Sequence, residues 1–129
     1  MIEGSTDAGI SAVDADLFVH GTRVSDTAAG SGGTGDGIAF FRGSEGMGGR
    51  TLETSDTELV GNARAALIAD GDVGEVAVFG GAMAGGPYAT VAQNEAVLTV
   101  EGTEVEAGMQ SLEGLVGDDA LPVVDEPVN

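Results

Sequence analysis

The chain has 129 residues, with 22 acidic side chains against 4 basic ones and a formal net charge of −18. A chain of this length is expected to form one domain that buries roughly two-thirds of its unfolded surface. So strong a negative charge repels phosphate backbones and argues against nucleic-acid binding, no apolar run approaches the roughly 20 residues of a membrane span, and the lack of cysteine removes disulfides, thiolate zinc sites and thiol nucleophiles.

The four basic residues are all arginines (Arg23, Arg42, Arg50 and Arg64), and the acids are spread from Glu3 to Glu126. Aromatic residues make up only 4 % of the chain, so Val, Leu, Ile and Ala must build the core. This composition is that of a protein working in concentrated salt. At about 1 M salt the Debye length falls to roughly 3 Å, so carboxylate repulsion costs little. Strong salt also favours apolar burial, which lets a core of small side chains suffice. A hydrophobic content of 42 % argues against disorder. Each arginine is expected to pair with a carboxylate.

In chain order, Met1 to Ile10 is small, polar and glycine-containing, and reads as a flexible arm without a basic or apolar signal segment. Ser11 to Val24 suits a bent strand or hairpin broken at Gly21-Thr22. Ala28 to Gly37 is a glycine-rich loop, Gly37 to Arg42 a short apolar strand, and Gly43 to Arg50 a second loop. Leu52 to Ile68 is balanced between helix and strand. Ser55 to Glu58 fits a capping box and the alanines favour helix, whereas Gly61 and the alternation of apolar residues favour strands, to which the reading leans.

Asp70-Gly71 is a turn signal. It leads into the clearest strand, Val73 to Gly80, and then to Tyr88–Ala92, Ala96–Glu101 and, past a Gly102-Thr103 turn, Thr103–Glu106. These pieces read as a meander. Met109 to Val116 is a last strand or a short helix, and Leu121 to Asn129 an extended tail with two prolines. The fold class is therefore mainly β: a small sandwich or barrel with at most one or two short helices, glycine-rich loops and an N-terminal arm. The expected organisation is an arm over 1–10, a β-rich domain over 11–120 and a tail over 121–129. No internal repeat of fixed period is evident.

The chemical motifs are thin. Gly30 to Gly35 matches G-x-G-x-x-G, but a dinucleotide site needs a strand before it and a helix after it. Gly43 to Thr51 lacks the lysine of a phosphate loop. Asp14-Ala15-Asp16 and Asp70-Gly71-Asp72 offer oxygen ligands without the spacing of a dedicated cation loop. His20 is the only histidine. Without a G-x-S-x-G elbow it reads as a residue at a strand end rather than a general base. No catalytic, cofactor or metal residues are assigned.

The run Leu59-Val60-Gly61-Asn62-Ala63-Arg64-Ala65, then Asp70-Gly71, then Gly74-Glu75-Val76-Ala77-Val78-Phe79-Gly80-Gly81 resembles the β-rich head decoration, or cement, proteins of tailed viruses, including the lambda type. Leu17 to Val24 looks like the strand that opens such domains. The likeness covers Leu17 to Ala84, and the chain departs from the pattern from Gly85 onward. It implies a non-enzymatic virion protein, commonly trimeric, that binds the major capsid protein on the outside of an HK97-like shell through an arm ordered on binding. With the composition, it implies the virus of a haloarchaeon, assembled in a high-salt cytoplasm, with no membrane or nucleic-acid partner. Ile2, Ile10 and Val13 are then the capsid contacts, and Met83, Pro87 and Tyr88 the self-association contacts. The alternatives are a cellular halophilic β-domain, acting as a ligand-binding module or complex subunit, and a tail or fibre-base protein.

Overall fold

The computed structural model describes residues 2–13, 15–29, 34–41, 50–71 and 74–116. They hold fourteen strands and no helix: β1 (Ile2–Glu3), β2 (Ala8–Val13), β3 (Leu17–His20), β4 (Arg23–Ser25), β5 (Asp36–Phe41), β6 (Arg50–Ser55), β7 (Glu58–Val60), β8 (Ala65–Asp70), β9 (Gly74–Phe79), β10 (Ala82–Ala84), β11 (Tyr88–Gln93), β12 (Leu98–Glu101), β13 (Glu104–Val105) and β14 (Gln110–Leu115). Successive strands do not pair with each other. Each lies parallel to the strand three places further on, in three sheets: β1-β4-β7-β10-β13, β14-β11-β8-β5-β2 and β12-β9-β6-β3. The chain is a parallel β-solenoid of about 4 turns, which replaces the expected sandwich or barrel.

Columns of apolar side chains run through the turns. In the first sheet Ile2, Val24, Leu59, Met83 and Val105 are in register. In the third sheet the column is Leu17, Leu52, Val76 and Leu98. In the second, Ala12, Phe40 and Ala69 form one column, and Ile10, Ile38 and Leu67 another. Buried members of all three sheets make one interior cluster, with Ile2, Ile10, Leu17 and Leu98 packed against it.

Two corners repeat along the stack, and their backbone geometry explains the residues found there. Between the third and first sheets, Gly21, Asp56, Gly80 and Gly102 have φ of 59°, 48°, 66° and 67°. Their N–H groups step up the stack: Gly21 donates to the Ser55 carbonyl, Asp56 to that of Phe79, and Gly80 to that of Glu101. Between the first and second sheets, Gly4, Asp26, Gly61 and Gly85 have φ of 72°, 57°, 69° and 76°. Glycine enters this left-handed region without cost, and aspartate tolerates it better than most residues. At Gly81 close approach adds to the requirement, since an added Cβ would lie 2.1 Å from the Thr57 carbonyl oxygen.

The period is about 22 to 24 residues, apart from the second turn. Ile2 pairs with Val24, Leu59 with Met83, and Met83 with Val105, whereas Val24 pairs with Leu59, 35 residues on. The added residues fall on either side of β5, in the two glycine-rich stretches of the sequence. Those insertions hide the repeat that sequence reading missed.

Other expectations also change. Residues 2–10 form β1 and the start of β2 rather than an arm, because Ile2 and Ile10 occupy the first positions of interior columns. Residues 55–68 hold no helix: they run from the end of β6 through β7 to the first part of β8, with corners between. Asp70-Gly71 and Gly102-Thr103 do turn the chain, but into solenoid corners rather than hairpins. The tail 121–129 lies outside the described residues. No helix among the described residues is long and apolar enough to cross a membrane.

Candidate functional site

The third sheet has one face open to solvent. Its strand β6 alternates between buried and exposed residues, as expected when one side faces water. Leu52, Thr54, Val76 and Val78 point inward and are nearly inaccessible. The outward positions form two rows across the strands: Phe18, Glu53, Ala77 and Thr99, then His20, Ser55, Phe79 and Glu101. Phe18 is 67 % exposed and Phe79 37 %, although most proteins bury their few aromatic side chains. Beside them an open groove of about 400 Å³ runs between Glu75, Ala77, Phe79, Val97, Thr99 and Glu101. Val97 is 72 % exposed at its edge. The face thus carries apolar groups set among carboxylates.

His20 and Ser55 meet on this face, with Nδ1 2.6 Å from the Ser55 hydroxyl oxygen. The hydroxyl donates when the ring carries its proton on Nε2. A nucleophilic serine needs more: a carboxylate to orient the ring and N–H donors for an oxyanion. Among the described residues nothing hydrogen-bonds to His20 Nε2, and the pair is open to solvent. It reads as a polar rung between neighbouring strands, in keeping with a histidine at a strand end.

The corner before β5 is polar and buried. Asp36, with no exposed surface, accepts a bidentate pair from Arg64: Nε to Oδ1 at 2.9 Å and Nη2 to Oδ2 at 2.6 Å. The Ala65 N–H adds a bond of 3.2 Å to Oδ1. Next to it the Thr27 N–H donates to Asn62 Oδ1. Thr27 Oγ1, Asn62 Nδ2 and Arg64 Nη1 have no partner among the described residues. Arg23 pairs with Glu58 at 3.1 Å on the surface. Arg50 makes no ion pair among the described residues, and Arg42 lies outside them. The expectation that each arginine meets a carboxylate therefore holds for Arg23 and Arg64.

The remaining motifs dissolve into the fold. Thr34 and Gly35, at the end of the glycine-rich loop, lead into strand β5 and not into a helix, so the nucleotide-site context is missing. The Asp70 carboxylate accepts from Gln93 Nε2 at 2.6 Å and from Asn94 Nδ2 at 3.2 Å and 3.3 Å. Asp14 and Asp72 lie outside the described residues, and among those described no cluster of three or more potential metal ligands occurs.

The proposed contact residues scatter. Ile2 and Ile10 pack on the interior cluster, while Val13 and Tyr88 pack on the other face of the second sheet. Met83 is 1 % exposed between Leu59 and Val105, so its side chain is not available at the surface. Pro87 is exposed. The exposed aromatics of the third sheet were missed; their signal is an aromatic residue at an outward position of an alternating strand, as in Leu17-Phe18-Val19 and Val78-Phe79-Gly80. No family model, no characterised protein and no solved structure matches the chain.

Proposed function

We propose that the chain is a non-enzymatic structural module that binds a protein partner through the outer face of its third sheet. Phe18 and Phe79, exposed on one side of this parallel ladder with Glu53, Glu75 and Glu101 among the outward residues, carry this reading. Exposed apolar groups on such a surface are retained at the cost of solubility, and they fit a protein contact. The acidic rim selects a partner that presents arginine or lysine around an apolar patch. The groove is open and shallow, unlike the enclosed, mostly apolar pocket of a small-molecule site.

The narrower reading is decoration of a tailed-virus capsid assembled in concentrated salt, as the sequence resemblance implies. Its residues are also the ones a solenoid needs, since Gly61, Gly80 and Gly81 sit at corners with positive φ. In this reading the major capsid protein supplies the partner surface, and the protein self-associates as a trimer. The test is cosedimentation with purified shells in concentrated KCl, for the wild type and for the Phe18→Ser/Phe79→Ser double variant. Binding by the wild type and its loss in the variant are expected. Equal binding by both overturns the face assignment, and no binding by the wild type overturns the capsid as partner.

A further inference from the structure

On the outer face of the third sheet, β9 and β12 carry two ends of the same make. At one end Phe79 and Glu101 are register partners, so a carboxylate stands beside the exposed aromatic ring. At the other end Glu75 begins the outward row of β9, and the exposed Val97, one residue before β12, lines the groove with it. Between the ends lie Ala77 and its partner Thr99, both short side chains. Each end thus sets an acid next to an apolar group, and a shallow trough joins them. Neither Glu75 nor Glu101 meets an arginine among the described residues, where Arg23 pairs with Glu58 and Arg64 with Asp36.

An acid beside an apolar group complements arginine or lysine, whose methylene stem lies on the apolar group while its charged head reaches the carboxylate. At Phe79 the ring adds an attraction for the cation. Glu75 precedes Phe79 by four residues on β9, and Glu101 lies one strand across from Phe79. At about 3.3 Å per residue and about 4.8 Å between strands, the two acids stand roughly 14 Å apart. In an extended chain positions i and i+4 project to the same side about 13 Å apart, with i+2 between them. We propose that the trough binds an extended segment of a partner protein with arginine or lysine at i and i+4 and a small apolar residue at i+2. The inference rests on the reading of this face as a protein contact and specifies what the face recognises. The basic residue that meets Glu101 lies across Phe79, the one that meets Glu75 packs on Val97, and the middle residue seats between Ala77 and Thr99. A second copy of the chain does not supply such a segment, because it has no lysine and no two of its arginines are four residues apart.

The test is a titration of the isotope-labelled chain, followed by amide NMR in KCl, with a short peptide holding Arg-Thr-Val-Thr-Arg between serines. Its isomer Arg-Thr-Val-Arg-Thr puts the second arginine on the opposite side of an extended chain. The first peptide is expected to shift the amides of Ala77, Phe79 and Thr99 and to bind at least about threefold more tightly than the isomer. Glu75→Gln and Glu101→Gln should each weaken it about threefold, the loss of one exposed ion pair. Equal affinity for the two peptides, or a glutamine variant that binds like the wild type, overturns the proposal, while shifts confined to the third sheet leave the reading of the face standing. Shifts centred on the other sheets overturn both. No shift at millimolar peptide overturns the proposal alone, since the Phe18→Ser/Phe79→Ser comparison tests the face independently. Spermidine shifting the same amides as strongly as the peptide assigns the trough to small polycations and also overturns it.

Discussion

The Arg64–Asp36 pair makes a quantitative prediction because its burial and geometry are both well defined. Asp36 has no exposed surface, and its two oxygens receive both the Arg64 guanidinium and the Ala65 N–H. In Arg64→Met the carboxylate keeps a single N–H donor, in a site that excludes water. Breaking one partner of a buried pair costs about 3–5 kcal/mol. That is a large part of the roughly 5–15 kcal/mol that holds a domain together. The double variant Asp36→Leu/Arg64→Met removes both charges and is expected to recover most of the loss. The comparison is Arg23–Glu58, whose side chains are about half exposed; exposed pairs contribute about 0–1 kcal/mol and weaken as salt rises. Urea unfolding at several KCl concentrations, run as a double-mutant cycle for each pair, gives both coupling energies. The buried coupling should exceed roughly 2 kcal/mol and stay nearly constant with salt. A coupling below about 1 kcal/mol, or one as salt-sensitive as the surface pair, would refute the burial argument.

Further predictions address the core, the corners and the surface. Leu59→Ala opens a gap in the column between Val24 and Met83 and should cost about 2–5 kcal/mol by denaturant titration, whereas a loss under about 1 kcal/mol would mean that the column is not packed. Gly21→Ala meets open space and should cost only the backbone penalty of about 1–2 kcal/mol. Gly81→Ala must also displace the Thr57 carbonyl and should cost more, so the reverse order of melting temperatures would contradict the corner geometry. Moving from dilute buffer to concentrated KCl should relieve carboxylate repulsion and raise Tm; a Tm indifferent to salt would remove the high-salt reading. Phe18→Ser should change stability by less than about 0.5 kcal/mol, since the ring is mostly in solvent; a larger loss measured by urea unfolding would show that it packs on the fold.

Turn positions were legible because a left-handed backbone restricts which residue can stand there. Gly21, Asp70-Gly71 and Gly102 marked real turns, and the β content followed from the alternation in segments such as Val73 to Gly80. Strand partners were not legible. Val76 and Val78 show the same pattern in a meander and in a solenoid, because alternation reports which side chains are buried and not which strand lies alongside. The missing signal was a repeat: Val19-His20-Gly21-Thr22-Arg23-Val24 returns as Thr54 to Leu59, Val78 to Met83 and Val100 to Val105. Intervals of 35, 24 and 22 residues disguise it, because added residues on either side of β5 lengthen one turn. Ile2 and Ile10 looked like isolated apolar residues for the same reason. Of the candidate contacts, Met83 was misplaced because a methionine in a glycine-rich stretch resembles a surface loop until its column is known. Phe18 and Phe79 became meaningful only when the register set them on one side of one sheet.

The lengthened second turn has a practical consequence. The added residues fall between β4 and β5 and between β5 and β6, and the columns on either side of them continue without a shift in which residues face inward. A corner of this stack is therefore a place where foreign sequence can be grafted. Whole turns can in principle be added or removed at matching corner residues, such as Asp56 and Gly80, because each turn rests only on its neighbours. The length of the rod and the loops it displays can then vary independently, as a ladder can gain rungs without changing the spacing of its rails.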